Sequence, residues 1–167
     1  MLRIINSILD RLLMLPHVVR YKVYYRDRDI KSSAFFKGQW TKVYGDGSFY
    51  VGANSYCGTN CGFNCETGQK IVIGNNVSIS HNVRIYTSNR NPVDIMNNRA
   101  LSLKVGDVTI GDNVWIGANV IIVQDVNIGS NVVIGANSVV SKNVDSNCIV
   151  AGAPLKILKK CESNSVS

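Results

Sequence analysis

The stretch IGDNVWIGANVIIVQDVNIGSNVVIGANSV, Ile110 to Val139, divides without remainder into units of six: IGDNVW, IGANVI, IVQDVN, IGSNVV and IGANSV. The same frame runs upstream from Val51 through VGANSY, CGTNCG, IGNNVS and ISHNVR. Each unit opens on an aliphatic residue or Cys, usually has Gly second, and often has Asn fourth. A period of six is neither helical nor a simple alternation, so each unit reads as one short strand followed by one turn.

In this frame the first residue (Ile73, Ile79, Ile85, Ile110, Ile116, Ile122, Ile128 and Ile134) points inward, and so does the fifth, usually Val. Two inward positions per six residues line a narrow core. Gly and Asn both tolerate left-handed backbone better than other residues, so bends are expected at the second and fourth positions. One unit alone buries almost nothing, whereas stacked coils cover each other's apolar face and complete each other's strand hydrogen bonds. The sequence therefore predicts an all-β fold, a parallel β-helix over residues 45–153. Residues 1–44 form a separate N-terminal helix and basic segment, and residues 154–167 a C-terminal tail.

The 167 residues carry a formal net charge of +7. Residues 1–42 hold nine Lys and Arg against Asp10, Asp27 and Asp29, a net +6, while the repeat region is almost neutral. A basic arm on a neutral solenoid points to phosphates or an anionic membrane surface rather than to nucleic acid. Over residues 1–15, Leu2, Ile5, Ile8, Leu9, Leu12 and Leu13 share one side of a helix, and Arg3, Ser7, Asp10 and Arg11 the other. This amphipathic helix is too short and too charged to span a bilayer and has no small-residue cleavage site, so a cytoplasmic protein is expected. The helix has three placements open to it: packed on the solenoid end, crossed to a neighbouring subunit, or peripheral at the inner membrane surface. Cys57, Cys61 and Cys65 recur every four residues, but the frame assigns Cys57 and Cys61 to core positions and no CxxC pair or nearby His completes a metal site. They read as small buried thiols, and no metal is expected.

The frame breaks between Ile85 and Val108, where YTSNRNPVDIMNNRALSLKVGD is too polar and irregular for a coil. Long excursions from a regular scaffold are often functional, so a loop over 88–107 is the expected functional segment. The chain has two histidines, His17 and His81. His17 has no repeat context, whereas His81 is third in ISHNVR, an outward position directly before the loop. Trp115 stands out as an aromatic at the turn-side end of a hexad otherwise made of small and aliphatic residues.

IGDNVWIGANV and IGANSVV, followed by AGAP and Lys156, resemble the hexapeptide-repeat acyltransferases, over about residues 45 to 160. Their nearest look is the sugar O-acetyltransferase branch that includes the maltose, galactoside and polysaccharide enzymes. The resemblance implies a left-handed prism with three hexads per coil, acetyl coenzyme A as co-substrate, a trimer with active sites between adjacent prisms, and transfer of acetyl to a sugar hydroxyl in surface polysaccharide synthesis. In that branch the loop carries a catalytic His before Pro; here the pair is Asn91-Pro92, and an amide takes no proton from a hydroxyl. The run Ile-Ser-His-Asn-Val instead resembles the motif that holds the catalytic His in relatives acting on nucleotide sugars and lipid A precursors. His81 is accordingly the expected general base, since a neutral imidazole can take a proton from an acceptor hydroxyl. The same resemblance places Trp115, Ala118, Ala136, Ser141, Lys142 and Lys156 on coenzyme A, with small residues beside the pantetheine arm and lysines at the phosphates. Asn64 resembles an Asn that binds sugar hydroxyls. In the loop, Asn89, Arg90, Asn91, Asp94 and Arg99 offer hydrogen bonds to a sugar, and the two arginines suit a sugar nucleotide. N-acylation of a nucleotide-linked amino sugar and a non-catalytic coenzyme A-binding solenoid remain as alternatives. A zinc carbonic anhydrase on the same prism would need three His ligands, and the chain has two.

Overall fold

The computed structural model describes residues 2–161. Short parallel strands stack into three sheets that form the sides of a prism. The first face contains Asp29–Ile30, Ser48–Val51, Lys70–Ile73, Val108–Ile110 and Val126–Ile128. On the second lie Tyr56–Cys57, Ser78–Ile79, Trp115–Ile116, Val133–Ile134 and Cys148–Ala151, closed by the antiparallel strand Lys156–Lys160. The third is built from Lys42–Tyr44, Gly62–Asn64, Arg84–Tyr86, Ile121–Ile122 and Val139–Val140.

Hexad register and coil register coincide. Ile73, Ile110 and Ile128 are Cα partners in successive coils of the first face, as are Ile79, Ile116 and Ile134 on the second. Ile85, Ile122 and Val140 continue the pattern on the third. All are buried, and so are the fifth-position residues Val77, Val83, Val114, Val120, Val126 and Val132. Each such side chain contributes about 1.5–3 kcal/mol relative to exposure. Towards the N-terminal end Phe35, Phe49 and Phe63 replace the aliphatics, with ring centroids 5.2–5.8 Å apart. Coils there are longer and enclose more space, which the aromatic rings fill.

The corners separate the roles of Asn and Gly that the sequence had joined. Asn54, Asn76, Asn113, Asn131 and Asn147 turn the first corner and Asn60, Asn82, Asn119 and Asn137 the second, all with φ between 55° and 60°. Their side chains form two ladders: each amide nitrogen donates to the amide oxygen one coil up, at 2.9–3.3 Å and 2.8–3.1 Å respectively. The second-position glycines, expected to bend into left-handed backbone, have ordinary φ. They are there for proximity: a Cβ on Gly117 would lie 2.5 Å from the Ala136 nitrogen, and one on Gly52 2.6 Å from the Gly74 carbonyl carbon.

The third corner has no asparagine ladder, and there the coil length varies. From one ladder Asn to the next the chain advances 22 residues in the lower coils, 37 where the loop is extruded, and 18 and then 16 above it. The excursion consists of the antiparallel pair Ser88–Arg90 and Leu103–Val105 and the short helix Pro92–Met96.

The N-terminal helix, Leu2–Asp27, extends through Pro16 into the basic segment, well beyond the 15 residues expected. Its second half packs under an irregular first coil, residues 29–44, which precedes the repeat proper. Three tyrosine hydroxyls meet the backbone there. Tyr21 donates to the Gly38 carbonyl (2.8 Å) and accepts from the Thr41 N–H, Tyr24 accepts from Val43, and Tyr25 from Phe36. The helix thereby caps the solenoid end, the packed placement among the three expected. The sidedness expected between Leu2 and Leu13 lies outside the described side chains except at Leu12, and residues 162–167 of the tail lie outside the described residues. Cys57, Cys61 and Cys65 are buried free thiols, and burial pushes Cys65 up to about 11. Among the described residues no helix is long and apolar enough to cross a membrane.

Candidate functional site

His81 sits on the second corner. Backbone hydrogen bonds stack the third-position residues there in a column: Asn82 donates to the Thr59 carbonyl (3.0 Å), Asn119 to that of His81 (3.0 Å) and Asn137 to that of Ala118 (2.9 Å). Thr59, His81, Ala118 and Ala136 therefore lie one above another. His81 is exposed, as its hexad position implies. Its Nδ1 accepts the Thr59 N–H at 2.9 Å. A Cβ on Gly58 would fall 2.7 Å from that nitrogen, so the ring needs glycine beneath it. A neutral imidazole that accepts at Nδ1 carries its proton on Nε2. In this orientation His81 presents a donor to solvent, and its lone pair is engaged by the coil below. Thr59 and Gly58 were not singled out in the sequence; the signal was their position one coil below His81 in the CGTNCG hexad.

Above His81 the column is lined by Ala118 and the exposed Ala136, and closes under Gly152, whose N–H donates to Ser138 Oγ. Both positions above the imidazole therefore carry only a methyl side chain. At the C-terminal end of the prism a cavity of about 160 Å³ is lined by Lys142, Lys156, Val144, Cys148 and Leu155. Lys142 and Lys156 both border this cavity, as does Asp145. Trp115 projects from the second face, 56% exposed, between Ser78 below and Val133 above. Ser141 is exposed at the third corner, away from the His81 column.

The residues expected to hold an acceptor are distributed differently. Asn64 is half-buried on the third face between Tyr44 and Tyr86. In the loop, the Asn91 amide oxygen caps the helix Pro92–Met96 by accepting the Val93 N–H (3.2 Å). The Asp94 carboxylate is buried and accepts from both the Ser102 hydroxyl and its N–H, which together hold its pKa below the ordinary carboxylate value. Asn89 donates to the Gln124 side chain at 2.6 Å and so ties the loop to the coil above. The Arg90 and Arg99 side chains are exposed and form no hydrogen bond or ion pair among the described residues. Within one chain the loop does not meet His81. The loop leaves from the third corner and His81 stands at the second, separated by the width of the third face, roughly 16 Å of extended chain. Among the described residues no three His, Cys, Asp or Glu side chains converge as a metal site.

Residues 107–142 match the family described as bacterial transferase hexapeptide (six repeats). A maltose O-acetyltransferase from Clostridium difficile has a solved structure that superposes with a TM-score of 0.64 at 36% identity, covering 78% of this chain and 70% of that one. The chain belongs to the hexapeptide-repeat transferases. Its prism is the left-handed β-helix of that family. A hexapeptide-repeat acetyltransferase of Vibrio cholerae, solved in complex with acetyl coenzyme A, superposes with a TM-score of 0.67 at 26% identity, covering 89% of this chain and 80% of that one. The galactoside O-acetyltransferase of Escherichia coli is 34% identical over 113 residues, 68% of this chain and 54% of that protein. The chain spans about half the length of several curated relatives it matches.

Proposed function

We propose that this hexapeptide-repeat transferase moves an acetyl group from acetyl coenzyme A to a hydroxyl of a sugar, in surface polysaccharide synthesis, and that it does so as a trimer. The observation that carries this reading is the column on the second corner, where the one exposed imidazole among the described residues lies beneath two alanines, on a prism whose C-terminal end carries Lys142 and Lys156. Relatives named for maltose and galactoside O-acetylation, and one solved with acetyl coenzyme A, support the class of donor and acceptor. Ala118 and Ala136 suit an extended pantetheine arm, Lys142 and Lys156 its phosphates, and Trp115 flanks the path on the second face.

In the reaction the acceptor oxygen attacks the thioester carbonyl, the carbon–sulfur bond breaks, and the acceptor proton leaves with the thiolate as free thiol. Acting as general base, His81 must turn its ring to release the Thr59 N–H, so that a lone pair faces the acceptor. In the orientation observed, Nε2–H instead donates, and suits the oxygen that gains charge as the tetrahedral intermediate forms. The side chains of the loop residues Arg90 and Arg99, without partners among the described residues, would serve an acceptor bound against a neighbouring prism.

His81→Ala should lower kcat for acetyl transfer by about 10²–10⁴ with little change in binding of coenzyme A, measured by thiol release with free sugars, polysaccharide fragments and nucleotide-linked amino sugars as acceptors. Near-wild-type turnover in the variant would remove His81 from the chemistry. Turnover confined to amino sugars would replace the hydroxyl acceptor with an amine.

A further inference from the structure

The N-terminal helix uses one side to cap the prism and leaves the opposite side unused. His17 and Tyr21 are buried against the first coil, with His17 edge-on to Trp40 at 4.5 Å. On the other side Leu12, Leu15 and Val19 are 60%, 60% and 58% exposed, and Val23 is 39% exposed. Spacings of three, four and four residues align these four along one stripe of about three turns. Lys22 is exposed beside that stripe, as is Arg26 one turn beyond Val23; the Arg26 guanidinium also pairs with Asp27 at 2.7 Å. The surrounding segment, residues 1–42, contains most of the net positive charge of the chain.

We infer that this stripe seats the protein on an anionic lipid surface. An apolar row flanked by Lys and Arg, on a helix not apolar enough to span, is the pattern of a helix lying in the headgroup boundary. Charge decides between occupants. A second copy would bring two strongly basic segments together, whereas acidic headgroups complement them and concentrate the protein at the surface. Geometry fits as well. The capping tyrosines place the stripe on the far side of the helix from the prism, so the coils project away from the surface and leave the second-corner column clear of it. This inference is independent of the acetyl-transfer reading.

The test is sedimentation of the full chain with vesicles of phosphatidylcholine mixed with phosphatidylglycerol, and with vesicles of phosphatidylcholine alone. Binding to the acidic vesicles is expected, weakening as salt is raised. The pair Leu15→Asp and Val19→Asp should reduce it by about tenfold or more, with circular dichroism and melting unchanged. Lys22→Glu with Arg26→Glu, which leaves the apolar row intact, should weaken it as well and serves if the first pair disturbs folding. Absence of binding to acidic vesicles, or equal binding to both vesicle types that the variants leave untouched, would overturn the inference. So would self-association of the wild type that Leu15→Asp and Val19→Asp abolish without lipid, which would assign the stripe to a second copy.

Discussion

A methyl group added at residue 117 would occupy space already held by the Ala136 backbone, 2.5 Å away. The consequence is testable: Gly117→Ala should destabilise the prism by about 1–3 kcal/mol, read as a lower midpoint in urea. The same comparison shows what kind of residue-level information the sequence carried. Repetition made the positions of Gly and Asn plain, and burial of the first and fifth positions followed from alternation. Which of the two residues turns the chain was not legible, because both tolerate positive φ and only the spacing between coils shows that Gly is chosen for closeness. His81 is a similar case. Its outward placement could be read from its hexad position, while the hydrogen bond that fixes its tautomer depends on Thr59, 22 residues away and one coil below.

Within the extruded loop, the tip is held by its own contacts, while Ser88 and Asn89 tie its base to the coils. Asp94 takes two hydrogen bonds from Ser102 and also supplies the carbonyl for the Arg99 N–H, so one residue closes the tip of the excursion. Because these bonds favour the charged carboxylate, its folded pKa lies below the ordinary 3.8. Their stabilisation is fully present above that ordinary value and is lost as pH falls through the lower folded one. Limited proteolysis should therefore find cleavage between residues 92 and 102 increasing at acid pH before the prism melts. Asp94→Asn should raise cleavage there at neutral pH, with the melting of the repeat unchanged. The loop was legible as an interruption of the frame, but its internal order was not, since Asn91 and Asp94 offer the same hydrogen-bonding groups to a sugar as to the backbone. The N-terminal helix was read short for a related reason. Pro16 is a stop signal by local propensity, and Tyr21, Tyr24 and Tyr25 outweigh it through contacts with the first coil.

For the whole molecule, the arrangement of corners separates scaffold from site. Replacing residues 86–107 with the three-residue turn Val123–Asp125 should leave the parallel stack folded, with Tm within about 5 °C, because the inserted residues lie outside the two asparagine-lined corners. That chain should be inactive alone. Coexpressed with His81→Ala chains it should recover acetyl transfer if each site combines the second corner of one chain with the loop of another; no recovery would place the whole site in one chain. The two ladders have one further consequence. In both, every amide points its oxygen towards the N-terminal end and its N–H towards the C-terminal end. Strand dipoles in a sheet largely cancel, but these nine side-chain dipoles add. The prism is thus a polarised rod, with its positive pole at the end where Lys142 and Lys156 line the cavity and its negative pole under the N-terminal helix.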